Sequence, residues 1–280
     1  MDTYLKSLLS LLADDDDNIA RAAMIELLDK YSEYLTIVLA ELQENSDIIV
    51  RRRCHQLEAL LSWRERRELL RKFIHDHDDS QLTIIDGLIY LHLLWFDKDS
   101  LLELNQTFDK FMQDFPLNKE ISLRSIIEFF ISRQQLAVFE GVLSVELYLI
   151  GSVLDSHFGS SSFFCAVILG IAERYGLENI SVLRAGKNYY LCDEINSVVF
   201  SPADDWQETK LPSDAEIEKV SKYQLIKYFA AIIFSNAVNS EEFRYIYVLG
   251  SILNSAENKN LNFLPYPYGR KTIRHKKELK

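Results

Sequence analysis

The stretch Tyr148–Leu177, YLIGSVLDSHFGSSSFFCAVILGIAERYGL, decides how the rest of the chain is read. Its first residues predict a short helix, broken tightly at Gly159. Phe163 to Ala172 is then almost wholly apolar and predicts a long buried helix, with Gly176 as its stop. Ser160, Ser161 and Ser162 stand at the start of that helix, where hydroxyls accept from unpaired backbone N–H groups. A helix start also favours negative charge and so stabilises a thiolate. No cysteine occupies those positions. Cys165 lies one turn further on, inside the apolar run, and reads as a packed core residue.

Working outward, the chain before this stretch reads as helical from Leu82 to about Phe164. Ile84 to Leu93 is strongly apolar, and His92 on it reads as a satisfied core histidine. Leu101 to Phe115 ends at Pro116, and Leu123 to Leu136 follows. Beyond Gly176 the pattern changes. Asn179–Leu183, Lys187–Cys192 and Ser197–Phe200 are short and rich in β-branched or aromatic residues, which predicts an antiparallel meander. Leu211-Pro212 then leads to a capped helix near Ser213-Asp214. Tyr223–Asn236 and Glu241–Asn254 predict a helical hairpin around Asn239-Ser240.

The first eighty residues predict two stacked helical hairpins. Leu5, Leu8, Leu9, Leu11 and Leu12 share one face, and Ile19, Ala23, Leu27 and Leu28 another. An offset of 30 residues superposes the units, matching Leu9 with Leu39, Asp17 with Asp47, Arg21 with Arg51 and Leu27 with Leu57. Helical pairs cannot bury their apolar faces alone and stack instead. The Asp, aliphatic, Arg pattern resembles HEAT-type repeats. Turns are expected near Asp14–Asn18 and Asn45–Asp47.

Other clusters read as structural. Asp14–Asp17 lacks the alternating ligands, glycine and closing glutamate of a calcium loop. His75-Asp76-His77-Asp78-Asp79 reads as a turn before the next helix, because His at i and i+2 do not share a helix face. Arg51, Arg52, Arg53, Arg64, Arg66 and Arg67 alternate with Glu58, Glu65 and Glu68. They read as a solvated helix face, the alternative being a site for an acidic partner. Nothing points to a metal or cofactor. Three cysteines, Cys54, Cys165 and Cys192, fit a reducing cytosol. The acidic start lacks a signal peptide's charge, so the expectation is a cytoplasmic protein without membrane attachment. A net charge of −11 argues against nucleic acid as a partner. The basic tail at 261–280 reads as a solvated chain end.

Helices, a helix opening in a small-residue turn, and then a short meander resemble a transglutaminase-like core. More specifically, the chain resembles the bacterial SirB-type proteins, which join such a domain to a tetratricopeptide-like region. Tyr148, Leu149, Val153, Leu154 and Gly159 match one family stretch. Ile171, Ala172, Arg174, Gly176 and Leu177 match its helix end. Ala185 to Leu191 stand where the family has a Pro-Gly-His strand. The hairpin Tyr223–Asn254 follows a family segment in pattern only.

Active members need a Cys nucleophile, a His base and an Asp that orients the His. The resemblance places the nucleophile at Ser161, the base at Lys187 or Asn188 and the acid at Asp193. No histidine lies between His157 and His275. The expected fold is α+β and predominantly helical. It comprises HEAT-like hairpins (1–80), a degenerate transglutaminase-like core with a small antiparallel sheet (81–210), a C-terminal helical hairpin (211–260) and the basic tail (261–280). The expected function is non-catalytic protein–protein interaction or scaffolding. The alternative is a hydrolase or acyltransferase using a Ser161–Lys187 dyad, which requires a desolvated lysine.

Overall fold

A computed structural model describes residues 3–42, 47–76, 82–116, 121–132, 136–139, 144–212 and 215–254. The chain forms two compact units, Met1–Glu68 and Leu69–Lys280. The division falls inside a helix, ahead of the boundary expected at residue 80.

The first unit is helical throughout its described residues. Helix α1 (Thr3–Ser10) continues into a 3₁₀ turn (Leu11–Ala13), and α2 (Asp17–Lys30), α3 (Ser32–Leu42) and α4 (Ile48–His75) follow. Asp16 caps α2 by accepting from the Asn18 N–H at 2.8 Å, and Asp47 does the same for Ile49 ahead of α4. Asp14 in turn accepts from the Asp16 N–H. The acidic run is thus a nested cap. Residues 43–46 of the second expected turn lie outside the described residues.

Burial repeats at the 30-residue offset. Leu5 and Leu35, Ala20 and Val50, Ala23 and Arg53, Met24 and Cys54, and Leu27 and Leu57 are buried pairwise, whereas Ala22 and Arg52, Ile25 and His55, and Asp29 and Ala59 are exposed pairwise. The apolar stripe of α2 is rotated from the expected one. Ile19 is exposed, and Ala20 and Met24 take the inside positions.

The arginine cluster is not simply a solvated face. Arg53 is buried and donates through Nη1 to the carbonyls of Leu12 and Asp14 and through Nη2 to Asp17. Arg64 donates to the Leu28 carbonyl and to Asp29. Arg53 meets the start of α2 and Arg64 its end, so α2 and α4 run parallel and in register. Side-chain hydrogen bonds between hairpins take the place of the expected pairs along one helix.

In the second unit the end of α4 supplies buried Leu70, Phe73 and Ile74. His75 is the last residue of α4 and pairs through Nε2 with the Ile252 carbonyl at 2.8 Å. It therefore belongs to a helix end and not to the expected turn; residues 77–79 lie outside the described residues. Helices α5 (Ile84–Trp95), α6 (Leu101–Phe111) and α7 (Leu123–Ser132) follow, the first two opened by capping boxes at Thr83/Asp86 and Ser100/Glu103.

The region up to Phe164 is not helical throughout. Strand β1 (Ala137–Val138) pairs in parallel with β2 (Phe158–Gly159). Between them lie a 3₁₀ turn (Val145–Tyr148) and α8 (Ile150–Ser156). Helix α9 (Ser161–Arg174) is buried from Ser161 to Ala172 and ends before Gly176, whose φ is +72°.

The sheet continues from there with β3 (Ile180–Ala185), β4 (Asn188–Asp193), β5 (Val198–Ser201), β6 (Gln207–Thr209) and β7 (Ile217–Val220). It is antiparallel in the order β6-β5-β4-β3-β7. The expected meander forms its centre, with two further strands at its edges. Helix α9 packs on β3 and β4. Helix α10 (Lys222–Asn239) is capped by Ser221 with Gln224, not near residues 213–214, which lie outside the described residues, and α11 (Phe243–Asn254) pairs with it. At the coarse level the protein is a mostly helical α+β chain with a small antiparallel sheet.

Candidate functional site

Ser160 is the N-cap of α9. Its Oγ accepts from the Phe163 N–H at 3.2 Å and lies 3.1 Å from Ser162 Oγ. Ser161 is the first residue of the helix and only 5% exposed. All three serines are buried. Their position follows from local chemistry, since small hydroxyl residues satisfy a helix start that packing removes from water.

Lys187 stands with Gly186 in the turn of the β3–β4 hairpin and is exposed. The sequence reading put it on a strand; the Gly186 turn, with φ of +62°, takes it off one. The desolvation that a neutral lysine base requires is absent at this position.

Asp193 closes the other end of β4. It accepts from Asn179 Nδ2 at 2.7 Å, Asn196 N at 3.1 Å and Asn196 Nδ2 at 2.8 Å. Burial acts to raise its carboxyl pKa, but the hydrogen bonds from Asn196 and Asn179 outweigh it and hold the group below its ordinary value. Its acceptor capacity serves the β4–β5 turn. Lys187 and Asp193 are separated by a strand's length, about 20 Å for six extended steps.

A run of rings connects the start of α9 to the start of β4. Phe163 lies 5.7 Å from Phe229, Phe229 is 5.8 Å from Tyr228, and Tyr228 is 5.7 Å from Tyr189. The Tyr189 phenol is pushed up to about 12 by burial and by Tyr228, against the opposing hydrogen bond with Arg184. It stays a neutral phenol at physiological pH. Arg184 in turn pairs with Glu218 at 2.8 Å.

Cys165 is fully buried within α9, as is Cys54 within α4. Cys192 is half-buried, and its thiol pKa is raised by burial, Glu194 and Asp193, with Lys219 opposing. None of the three has the cationic setting that activates a thiol.

The sequence gave His92 a packing role, and its geometry is that of a bridge. Nε2 lies 2.8 Å from Asp99 Oδ2, and Nδ1 accepts from the Gly151 N–H at 3.2 Å. Both ring nitrogens are therefore used. Gly151 was not singled out in the sequence. A Cβ there would stand 2.5 Å from His92 Cε1, so only glycine fits beside the ring.

An open cavity of about 380 Å³ is lined by Trp95, Ser144, Val145, Glu146, Asn236, Ser240 and Glu242. None of the residues predicted from sequence lines it. Among the described residues no group of three or more His, Cys, Asp or Glu is placed to hold a metal ion, and no helix is long and apolar enough to cross a membrane. The chain matches no protein-family model, and no curated protein or solved structure is significantly similar to it.

Proposed function

We propose that this chain is a non-catalytic interaction protein, with HEAT-like hairpins joined to a degenerate transglutaminase-like core of SirB type. The observation that carries this reading is the fate of the three remnant positions. Ser161 is buried, Lys187 is in solvent, and Asp193 is committed to a turn. A nucleophile must be reached by substrate, and a lysine base must be desolvated. The packing of α9 on β3 and β4 and the 30-residue burial repeat support the two halves of the resemblance.

The test is affinity capture of the full chain from its native cell, with stoichiometry read by mass spectrometry. A discrete stoichiometric partner, retained by Ser161→Ala, is expected. Hydrolysis of ester or amide substrates by the purified protein, abolished by Ser161→Ala and by Lys187→Ala, would replace this reading with the serine–lysine hydrolase.

A further inference from the structure

Helix α4 carries eight Lys or Arg against three Glu, in a chain whose net charge is −11. Two of those arginines, Arg53 and Arg64, are committed to the neighbouring hairpin. The others are not spread evenly around the helix. Arg52, Gln56, Ala59, Trp63 and Arg66 follow one another at steps of four and three, which places them on one face, with Arg67 beside it. That face is opposite the buried stripe of Val50, Cys54, Leu57 and Leu61. It runs about 21 Å along the helix, or four turns. Glu58, Glu65 and Glu68 all lie off it.

The face has a definite layout. Arg52 stands at one end and Arg66 and Arg67 at the other. Between them the centre is apolar, with Ala59 exposed and Leu60 49% exposed. Charge segregated in this way complements a partner with carboxylates at its flanks and aliphatic side chains between. A polyanion without apolar groups would leave the centre unmatched, and the acidic balance of the whole chain opposes nucleic acid.

We propose that the Arg52–Arg67 face of α4 docks an acidic amphipathic helix of a partner protein. This rests on the reading of the chain as an interaction protein and names where one partner sits. The arginines meet carboxylates and set the register; Ala59, Leu60 and Trp63 receive the apolar side chains.

The probe is a fluorescein-labelled peptide about four turns long, with a leucine stripe flanked by glutamates, titrated with the full chain and followed by anisotropy. Binding that weakens with salt is expected, with a loss of about tenfold in Arg52→Glu/Arg67→Glu. Arg52→Gln/Arg67→Gln should fall between, and Lys110→Glu on α6 should match the wild type. Circular dichroism on each variant excludes unfolding. Absence of binding, binding indifferent to the arginine variants, or tighter binding of a single-stranded oligonucleotide would each overturn the proposal. Cellular capture separates this from the broader reading. A stoichiometric partner held equally by wild type and double variant sinks the α4 face alone, while no partner with either sinks the interaction protein itself.

Discussion

Arg53 Nη2 stands 2.8 Å from Asp17 Oδ1, yet the arginine side chain is 5% exposed and the aspartate side chain 84%. The pair is lopsided. Water can replace the arginine for Asp17, but nothing replaces Arg53 for the Leu12 and Asp14 carbonyls it also serves. Arg53→Ala should therefore destabilise the first unit by about 2 kcal/mol or more. Arg53→Lys should recover little, since one ammonium cannot span a fork-shaped set of acceptors. Asp17→Ala should cost clearly less. Urea titrations of the three variants give the order, and equal losses for Arg53→Ala and Asp17→Ala would contradict it.

Gly151→Ala is expected to be severe for a position that looks unremarkable in the sequence. The added methyl would meet His92 Cε1 at 2.5 Å, Nε2 at 2.9 Å and Leu104 Cδ2 at 3.2 Å. His92 cannot swing aside without surrendering Asp99 and the Gly151 amide. A loss of about 1–3 kcal/mol is the scale for overpacking a filled core. Thermal unfolding reads it directly. The double variant His92→Ala/Gly151→Ala should lose less than the sum of the singles, because the clash goes with the ring.

The same histidine makes stability depend on pH. Burial lowers its pKa below the ordinary 6.5, and Asp99 only partly opposes this. Below that value the unfolded chain binds a proton that the folded chain refuses. The stabilisation is thus fully present above about pH 6.5 and is lost as pH falls beneath it, by at most about 1.4 kcal/mol per pH unit for one proton. Protonated Nδ1 would also face the Gly151 N–H, donor against donor. Denaturant midpoints measured from pH 7.5 down to 5 should fall more steeply in the wild type than in His92→Gln.

Thiol reactivity should single out Cys192. Cys54 and Cys165 are sealed in helix interfaces and should react with an aromatic disulfide reagent only after unfolding. Cys192 should react in the native state, slowly, with a rate still climbing above pH 9 because its environment raises the thiol pKa. Native labelling should disappear in Cys192→Ser. Rapid labelling of Cys165 in the folded chain would reopen the enzymatic reading.

The long helix and the central strands were legible because their side chains say enough locally. Phe163–Ala172 is buried on all sides, and Ile180–Ala185 and Asn188–Asp193 carry β-branched and aromatic runs. The edge strands were not legible. Gln207–Thr209 and Ile217–Val220 hold few buried residues and owe their shape to hydrogen bonds with neighbouring strands. The pair Ala137–Val138 with Phe158–Gly159 is too short to show any period. At the candidate site, the three serines could be placed at a helix start from their chemistry alone. The exposure of Lys187 and the engagement of Asp193 could not, because both depend on where a turn falls by one residue. Arg53 failed for another reason: composition marks arginine as a surface residue, and only the carbonyls of a distant turn make it a core one.

The 30-residue burial pattern also bears on how such a chain can lengthen. Each hairpin of the first unit offers one side to the hairpin before it and another to the hairpin after it, and the arginines at Arg53 and Arg64 tie the second to the first. A tandem duplication of one such segment would arrive with its own partners already matched at both joins. Growth by copying is therefore open to this unit, whereas a duplicated strand of the five-stranded sheet would have to displace a neighbour already bonded on both edges.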